Sequence, residues 1–590
     1  PFKGLEAVVE YTFDKKIYDL KAYNSPYDFT SIQLGKSASA STSKYENTKS
    51  STDYNALNAY ATYSLDLNED NHFKFMAGYN QESSMFEQLY VTRLDMINQE
   101  MPSFSSATGE TTATDTYNEY TVRGGFYRFN YDYKGKYLFE TNGRYDGSSK
   151  FPKNDRFGFF PSFSLGWNVA REDFMAWSSS WMNEFKLRGS WGQIGNQAIN
   201  PYAYMPIMDA GKASWIVNGE LPTTLATPGL VSSNFTWETV ETLDFGVDVN
   251  MLNSRLLLTY DWYQRDTKDM LAAGMELPSV VGAPAPLQNV ADLRTKGWEL
   301  AISWRDKIGA WGYNVGLNLY DSRTHVTKYD NAAGLLSNYY EGYEVGEIWG
   351  YVTDGFYSMD DFVDSNTWKL KEGVTSIKSY NVRPGDVKFK NLRDDEGSVN
   401  QIDPGTSTLE NPGDRKIIGN TQSRYQYGIT AGVNWKGFDL SILLQGTGKR
   451  DYWVSDDRRW GFNSNEFGTI FADQLDYWKP VDAANGNYNA INPNAKYFRI
   501  YDQRDNAGSN TRTQTKYLLD ASYLRIKNIS LSYNVPQRTV NKIGISGLKV
   551  FSSVENLHTW TSLPNGYDPE RLSWGYPFYR TVSFGLNITL

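Results

Sequence analysis

Cysteine is absent from the 590 residues, which excludes disulfide bonds and thiolate metal sites. The sequence also has no run of the roughly 18 to 20 apolar residues that a membrane-spanning helix needs, so any contact with a bilayer must be made by strands. Lysine and arginine (58) are outnumbered by aspartate and glutamate (68), giving a formal net charge of −10. That balance argues against nucleic acid as a partner, because phosphate binding draws on clustered cations.

Catalytic signatures are scarce as well. The three histidines are far apart, and no pair has metal-ligand spacing on one element: His72, His325 and His558. The run Gly-Thr-Gly-Lys-Arg at 446–450 lacks the full phosphate-loop pattern, and no Gly-x-Ser-x-Gly elbow exists. Adjacent acids in polar loops are better explained as solvated than as glycosidase carboxylates: Asp394 with Asp395, and Asp456 with Asp457. We therefore expect a protein that is not an enzyme and needs no cofactor.

Strict alternation of apolar and polar residues is what the sequence does contain. In the last ten residues one face carries only apolar side chains, namely Val582, Phe584, Leu586, Ile588 and Leu590. The other face carries Thr, Ser, Gly and Asn. The same pattern recurs at 424–435 and at 243–251. Such runs of about 10 to 15 residues predict strands long enough to cross a bilayer at a tilt.

The polar face of these runs is rich in Gly, Asn, Ser and Thr, which suits a water-filled lumen better than the charged outside of a soluble sandwich. Four residues are predicted to face that lumen: Asp244, Asp248, Arg424 and Gln426. Charges there can tune passage, although lumen hydration alone explains them equally well.

Aromatic residues make up 15% of the chain, with 43 tyrosines and 18 tryptophans, while all hydrophobic residues together reach only 40%. Several aromatics stand at the ends of alternating runs: Trp298, Trp304, Trp435 and Phe438. These positions favour the aromatic girdles found where a barrel meets the bilayer surface, although a sandwich core could also place an aromatic there.

Sixteen strands are predicted, at 3–13, 52–67, 71–91, 117–133, 135–147, 156–170, 183–195, 234–251, 254–267, 289–304, 311–327, 421–435, 437–449, 514–534, 547–560 and 578–590. Short turns alternate with long loops: turns at 68–70, 134–135, 252–253, 305–310 and 436–437; loops at 92–115, 196–233, 268–288, 328–420 and 450–513. This sorting predicts an all-β, transmembrane antiparallel β-barrel, with long extracellular loops and short periplasmic turns.

The long loops carry aromatic side chains of the kind that stack on sugars or anchor a protein partner. One loop offers Trp349, Tyr351 and Phe356, and another offers Tyr452, Trp453 and Trp460 beside Arg458 and Arg459. Packing of the loops on themselves is an equally good explanation of both sets.

Several motifs resemble those of the SusC/RagA-type TonB-dependent transporters of Bacteroidetes, in order over nearly the whole chain. They include Ser-Tyr-Leu-Arg-Ile-Lys-Asn at 522–528, Val-Glu-Asn-Leu-His-Thr-Trp at 554–560, Gly-Tyr-Asp-Pro at 566–569, Arg-Tyr-Asp-Gly-Ser-Ser-Lys-Phe at 144–151, Phe-Phe-Pro-Ser-Phe at 159–163, Gly-Asp-Val-Lys-Phe-Lys at 385–390 and Asp-Arg-Lys-Ile-Ile-Gly-Asn at 414–420.

The resemblance implies a 22-stranded barrel in the outer membrane of a Gram-negative bacterium, with residues 1–590 as its C-terminal part. A plug, about six strands and a signal peptide are then expected upstream. It also implies TonB as the energy source, acting through that upstream segment, and a SusD-like surface lipoprotein that captures an oligosaccharide or peptide cargo.

Two positions depart from the family pattern. Members often have an Asp-x-Asn-x-Asp-Gly run after the Gly-Asp-Val-Lys motif, spaced for calcium. Here Arg393 occupies a ligand position and Gly397 comes one place late, which argues against a calcium site at Asp394 and Asp395. The chain also ends in Leu590 where the family usually has an aromatic residue.

Two other functions fit parts of the pattern. The first is a passive porin, in which the sixteen strands form a complete barrel by themselves, because diffusion pores have an even number of strands. A secreted β-rich protein that binds or cleaves glycans would be soluble without detergent, and outward apolar rows on successive strands argue against it. No binding code in the loops identifies the cargo.

Overall fold

A computed structural model describes residues 3–31, 36–40, 42–232, 235–273, 279–283, 285–394, 397, 399–454, 459–460, 471–500, 509–572, 576 and 578–590. Its main element is one sheet of sixteen strands that follow one another in chain order. Within the described ranges, no helix combines the length and apolar character needed to span a bilayer.

The sixteen strands are β1 (Leu5–Asn24), β2 (Lys44–Asn68), β3 (Asn71–Leu94), β4 (Thr111–Tyr133), β5 (Tyr137–Ser148), β6 (Phe157–Asn168), β7 (Met182–Asn196), β8 (Glu238–Met251), β9 (Leu256–Ala273), β10 (Leu287–Ile308), β11 (Trp311–Lys328), β12 (Arg424–Trp435), β13 (Phe438–Lys449), β14 (Tyr523–Asn534), β15 (Gly547–Thr561) and β16 (Thr581–Thr589). Each predicted strand has its counterpart, which confirms the predicted number and order.

Strand lengths differ from the prediction at several ends. The second, third and fourth strands contain 25, 24 and 23 residues, far more than the roughly 9 to 11 that a crossing requires. The parts beyond the predicted bounds, at 44–51, 92–94 and 111–116, are mostly polar, so apolar alternation did not reveal them. The prediction for β14 began too early, at 514, because 515–517 forms a 3-10 turn and Leu519–Asp520 pairs with Asp451–Tyr452.

The two faces of the sheet are chemically distinct, as alternation predicts. On β3 and β4, Phe75 pairs with Phe129 on one face, while Lys74 pairs with Asn130 on the other. The apolar face is exposed, since side chains of β6 that a soluble protein would bury are open: Phe159, Phe163, Leu165 and Trp167. An exposed apolar wall of this extent needs a lipid environment.

Tight turns join the strands at one end. Lys134 and Gly135 have φ of 55° and 61°, and Lys436 and Gly437 have φ of 46° and 94°. The loop at 436–437 has two residues and the loop at 134–136 has three. Left-handed residues in such short loops match the right-handed twist of the strands they connect. The short turns predicted at both places are confirmed.

Stacked aromatic rings form a row at this same end. Tyr133 and Tyr137 lie 6.3 Å apart across their turn, and Phe438 lies 4.4 Å from Tyr533. Trp311 stacks on Trp435 at 5.0 Å. The row occupies the position of an interfacial girdle. Trp298 and Trp304 share the apolar face of β10, six residues apart, or about 20 Å along a strand.

The connections contain small elements that alternation did not predict. Two-stranded pairs are Tyr27–Ser31 with Lys36–Ala40, Ala210–Lys212 with Thr223–Leu225, Glu347–Tyr351 with Arg415–Asn420, Thr353–Phe356 with Val387–Phe389, Ser376–Ile377 with Gln401–Ile402, Asp451–Tyr452 with Leu519–Asp520, and Pro480–Asp482 with Asn487–Ala490. One α-helical turn covers Gln537–Val540, and 3-10 turns cover Phe104–Ser106, Val169–Arg171, Asp173–Ser178, Ser279–Val281, Met359–Asp361, Ala472–Leu475, Ala483–Asn485, Thr515–Tyr517 and Asn541–Ile543.

The chain divides into two compact units. The first comprises Pro1–Asn168, Arg188–Leu243 and Thr267–Ala291, and the second comprises Val169–Leu187, Asp244–Asp266 and Asp292–Leu590. In the first unit a buried aromatic cluster lies beside β6: Phe151, Phe160, Phe235 and Trp237. In the second unit the largest buried cluster lies in the loops rather than between the strands.

Glycine at 446 on β13 is required by its neighbours. A Cβ there would overlap the ring of Tyr427 and the carbonyl oxygen of Tyr523 on the two flanking strands. We expect Gly446→Ala to destabilise the folded protein by about 1–3 kcal/mol, the usual effect of overpacking. The matched control is Gly428→Ala on β12, where the added methyl group would meet only the oxygen of Leu444 at 4.0 Å. Urea unfolding in detergent micelles measures both, and equal effects would contradict the argument.

Candidate functional site

The two long connections of the second unit fold together around a shared core. Buried residues of the β11–β12 connection pack with buried residues of the β13–β14 connection: Tyr351, Tyr357, Phe362, Ile377, Val382, Val387, Phe389 and Ile402 from the first, and Trp460, Tyr497, Phe498 and Tyr517 from the second. We name these twelve residues the outer-loop core. Loops with such a core hold a fixed surface instead of moving independently.

A buried ion pair joins the two connections. Asp386 is 2% exposed, and Arg499 Nε donates to its Oδ1 at 2.7 Å. Asn510 Nδ2 donates to the same oxygen at 2.9 Å, and the amide of Arg383 donates to Oδ2 at 2.7 Å. These donors and the Arg499 guanidinium compensate the charge of the buried carboxylate.

The residues flanking Asp386 explain the Gly-Asp-Val-Lys-Phe motif. Gly385 has φ of +91°, and a Cβ at this position would overlap the ring of Trp478. Val387 and Phe389 are buried in the outer-loop core at 0% and 1% exposure. The motif therefore combines a left-handed turn, a buried charge and two core side chains within five residues.

A second buried cation lies within the outer-loop core itself. Arg459 is 3% exposed, and its Nη1 donates to the Tyr497 hydroxyl at 2.8 Å. That hydroxyl donates to Asp473 Oδ2 at 2.9 Å. Burial raises the pKa of Tyr497 and also that of Tyr357, so both hydroxyls stay protonated and can donate.

Asp414 organises the loop that the family pattern associates with calcium. Its carboxylate is 1% exposed and accepts from the amides of Leu392 at 2.6 Å, Arg393 at 3.1 Å and Asp403 at 3.0 Å. Backbone amides thus compensate the negative charge of Asp414, which a bound cation could otherwise do. In the sequence, Asp414 is visible only as the first residue of the family motif at 414–420, and nothing there indicates its role.

Of the two proposed calcium ligands, Asp394 accepts from the side chain of Asn391 at 2.7 Å and the amide of Asn400 at 3.0 Å. Asp395 lies outside the described residues. Across the part of the chain that the structure describes, no group of three or more His, Cys, Asp or Glu side chains is placed to hold a metal ion.

In the β11–β12 loop, the predicted contact residues are mostly engaged by protein. Tyr351 is 5% exposed, with its ring 5.1 Å from Phe389 and Arg512 5.2 Å from its centroid. Trp349 is half-buried and donates to Glu347 Oε1 at 2.9 Å. Phe356 is half-buried against the outer-loop core, with Lys516 Nζ 4.7 Å from its ring. Loop self-packing accounts for Tyr351.

The β13–β14 loop gives a similar result. Trp460 is 6% exposed and donates to Val454 O at 3.0 Å, so its ring also belongs to the loop packing. Trp453 is half-buried, with its ring 6.0 Å from Trp460. Tyr452 packs against a neighbouring cluster that includes Leu563 and Leu572. Asp456, Asp457 and Arg458 lie outside the described residues.

The residues predicted on the polar face fall into two groups. Asp248 accepts from Thr259 Oγ1 at 3.3 Å and lies 3.6 Å from Lys186 Nζ. Asp244, four residues earlier on the same strand, is half-buried. Gln426 accepts from the Tyr320 hydroxyl at 3.1 Å. These three alternate with exposed or half-buried apolar residues, such as Phe245, as the pattern requires.

Arg424 forms an ion pair at the start of β12. Tyr425 has φ of +51° and interrupts the pairing of β12 with β13. The Arg424 guanidinium then forms two bonds of 2.5 Å with Asp321, which follows Leu317 and Leu319 on the apolar face of β11. Strict alternation assigned Arg424 to the row of Gln426, and a left-handed residue between them could not be anticipated from a tyrosine.

A third buried cation, which the sequence did not reveal, explains two more family motifs. Arg525 of β14 is 1% exposed and lies 2.6 Å from Asp568 and 2.9 Å from Glu570. Its Nε donates to Thr559 Oγ1 on β15 at 2.8 Å. The Tyr-Leu-Arg motif therefore fastens the last loop, with its Gly-Tyr-Asp-Pro motif, to the upper part of the sheet.

Sixteen antiparallel strands with an exposed apolar face, tight turns at one end and folded loops at the other define an outer-membrane β-barrel protein. The family model described as "TonB dependent receptor-like, beta-barrel" matches residues 3–557, and the chain belongs to this family. Two curated relatives are TonB-dependent receptor P3 of Formosa agariphila, 28% identical over 93% of this chain and 53% of its own length, and TonB-dependent receptor SusC of Bacteroides thetaiotaomicron, 26% identical over 82% and 44%. The chain thus spans about half the length of the curated relatives it matches.

Solved structures show the same fold. The RagAB peptide importer in its "open-open" state superposes with a TM-score of 0.79 at 19% identity, over 100% of this chain and 60% of that one. The structure entitled "RagAB peptide transporter" gives 0.76 at 19% identity, over 97% and 58%. At this identity the likeness concerns the fold, and it confirms the predicted barrel architecture.

Removing one partner of the Asp386–Arg499 pair should unlock the outer loops. An uncompensated buried charge costs about 3–5 kcal/mol, so Arg499→Met should make the two connections sensitive to protease at concentrations that leave the unmodified chain intact. The control is Lys496→Met, since Lys496 lies 3.7 Å from Asp473 in an exposed pair worth less than about 1 kcal/mol. Limited proteolysis of intact cells measures both variants. Equal resistance of the two variants would show that the buried pair does not fasten the loops.

Proposed function

We propose that this chain is the barrel of a transport protein that imports a nutrient, an oligosaccharide or a peptide, across the outer membrane using energy delivered by TonB. The observation that carries the proposal is the family match over residues 3–557, which covers fourteen of the sixteen strands of the sheet fully and most of the fifteenth. In this role the protein is a transporter and performs no chemistry on its cargo.

The second part of the proposal is a SusD-like lipoprotein that covers the outer end and captures cargo. The β7–β8 connection presents the kind of surface a partner would cover, since large apolar side chains are exposed on it: Ile207, Met208, Trp215, Ile216 and Leu225. Exposed apolar patches of this kind are typical of protein interfaces.

Loss of apolar surface should separate the partner from the barrel. We expect the double variant Trp215→Ser, Ile216→Ser to reduce the co-purifying lipoprotein at least tenfold while the amount of folded barrel stays the same. Ile543→Ser is the control, because Ile543 is comparably exposed but lies on a connection at the short-turn end of the strands. Affinity purification in mild detergent followed by mass spectrometry gives the ratio, and an unchanged ratio would exclude this connection from the interface.

Energy dependence distinguishes the proposal from a passive pore. Cells carrying the full-length protein should accumulate a labelled oligosaccharide or peptide from micromolar solution, and deletion of tonB should abolish that accumulation. Expression of the gene in the deletion background is the control for protein level. Accumulation that is independent of TonB would favour the passive sixteen-stranded porin instead.

A further inference from the structure

The first unit contains an open pocket of about 790 Å³ that no sequence motif indicated. One wall is the polar face of β3 and β4, where Ser84 pairs with Tyr120 and Phe86 pairs with Asn118. The other wall is the segment 199–231 of the β7–β8 connection. A pocket of this volume accommodates a ligand the size of a short peptide or a small oligosaccharide.

The wall formed by the connection is mainly aliphatic. Its side chains include Ile199, Met205, Ile207, Leu230 and Val231. A sugar hydroxyl against such a wall would lose its hydrogen bond to water without gaining another, at about 1–3 kcal/mol for each group. An apolar side chain would instead gain about 25 cal/mol for each Å² that it removes from water. The lining therefore favours a ligand with apolar groups.

One cation borders the pocket. Lys150 Nζ lies 4.7 Å from the centroid of the Tyr120 ring and donates a long hydrogen bond of 3.4 Å to Gln197 O. Burial lowers the pKa of Lys150, and the nearby charge of Glu82 offsets that effect only in part. A carboxylate from a ligand would supply the compensation that the protein leaves incomplete.

Amide groups of a ligand would also find partners. Asn118, Asn200 and Ser84 border the pocket with short polar side chains that both donate and accept hydrogen bonds. Tyr120 and Tyr202 also border the pocket, and apart from Lys150 the remaining side chains of the lining are apolar. This distribution matches a peptide backbone with apolar side chains better than a chain of sugars with hydroxyl groups on every ring.

We propose that this pocket binds the carboxylate end of a short apolar peptide, with Lys150 holding the carboxylate and the aliphatic wall holding the side chains. The inference rests on the proposed import function and specifies its cargo class. It places a cargo contact on the β7–β8 connection, in a unit separate from the aromatic loops that the sequence singled out.

Binding of matched probes to the full-length protein in detergent tests the site. The probes are a fluorescent tetrapeptide of leucine and valine with a free C-terminal carboxylate, the same peptide amidated, and neutral maltohexaose. We expect the free peptide to bind at least tenfold more tightly than the amide, and we expect maltohexaose to displace it only poorly. Lys150→Gln should weaken the free peptide about tenfold and leave the amide unchanged, and Lys150→Arg should retain most of the affinity.

Lys153→Gln is the control for surface charge, since Lys153 is exposed three residues away. Equal affinity of the two peptides, or equal loss in the Lys150→Gln and Lys153→Gln variants, would overturn the assignment of Lys150. Tighter binding of maltohexaose than of either peptide would overturn the inference that the cargo is a peptide. In that case, TonB-dependent accumulation of maltohexaose would still support the proposed import function. Absence of TonB-dependent accumulation of any probe would instead count against the proposed function.

Discussion

Every backbone amide that crosses a bilayer must find its hydrogen-bond partner within the protein, and this single requirement shapes the chain. Without an apolar helix, the requirement can be met only by strands that pair edge to edge. Pairing in turn imposes the period of two that separates the exposed apolar face from the polar one. The low overall hydrophobicity, the tight left-handed turns and the aromatic rows beside them all follow from this arrangement.

Outside the sheet, buried charges take over the organising role. Asp386 with Arg499 joins the two long connections, Asp414 gathers three backbone amides, and Arg525 fastens the last loop. Each charge is compensated by donors or acceptors from segments distant in sequence, so each fixes geometry that apolar packing alone would leave adjustable. The family motifs, which are far apart in the sequence, supply residues to these buried contacts.

Sequence alone gave the strands because their signal is local. Alternation located all sixteen, and it erred where the signal is absent, as in the polar outer part of β2 or before Tyr523 on β14. It gave no sign of the ion pair between Arg424 and Asp321, or of the left-handed residue Tyr425 beside it. The pocket beside Lys150 and the pairing of Asp386 with Arg499 depend on contacts across more than a hundred residues or between a strand and a distant loop. No periodicity encodes such contacts.

The outer-loop core has a consequence for how such proteins diversify. Since Asp386 on one connection and Arg499 and Asn510 on the other share one buried site, neither loop can be replaced alone without leaving a charge stranded. During evolution the two loops should therefore be exchanged together, or a change in one should be followed by a compensating change in the other. A chimera engineered for new cargo should transplant both segments as one cassette.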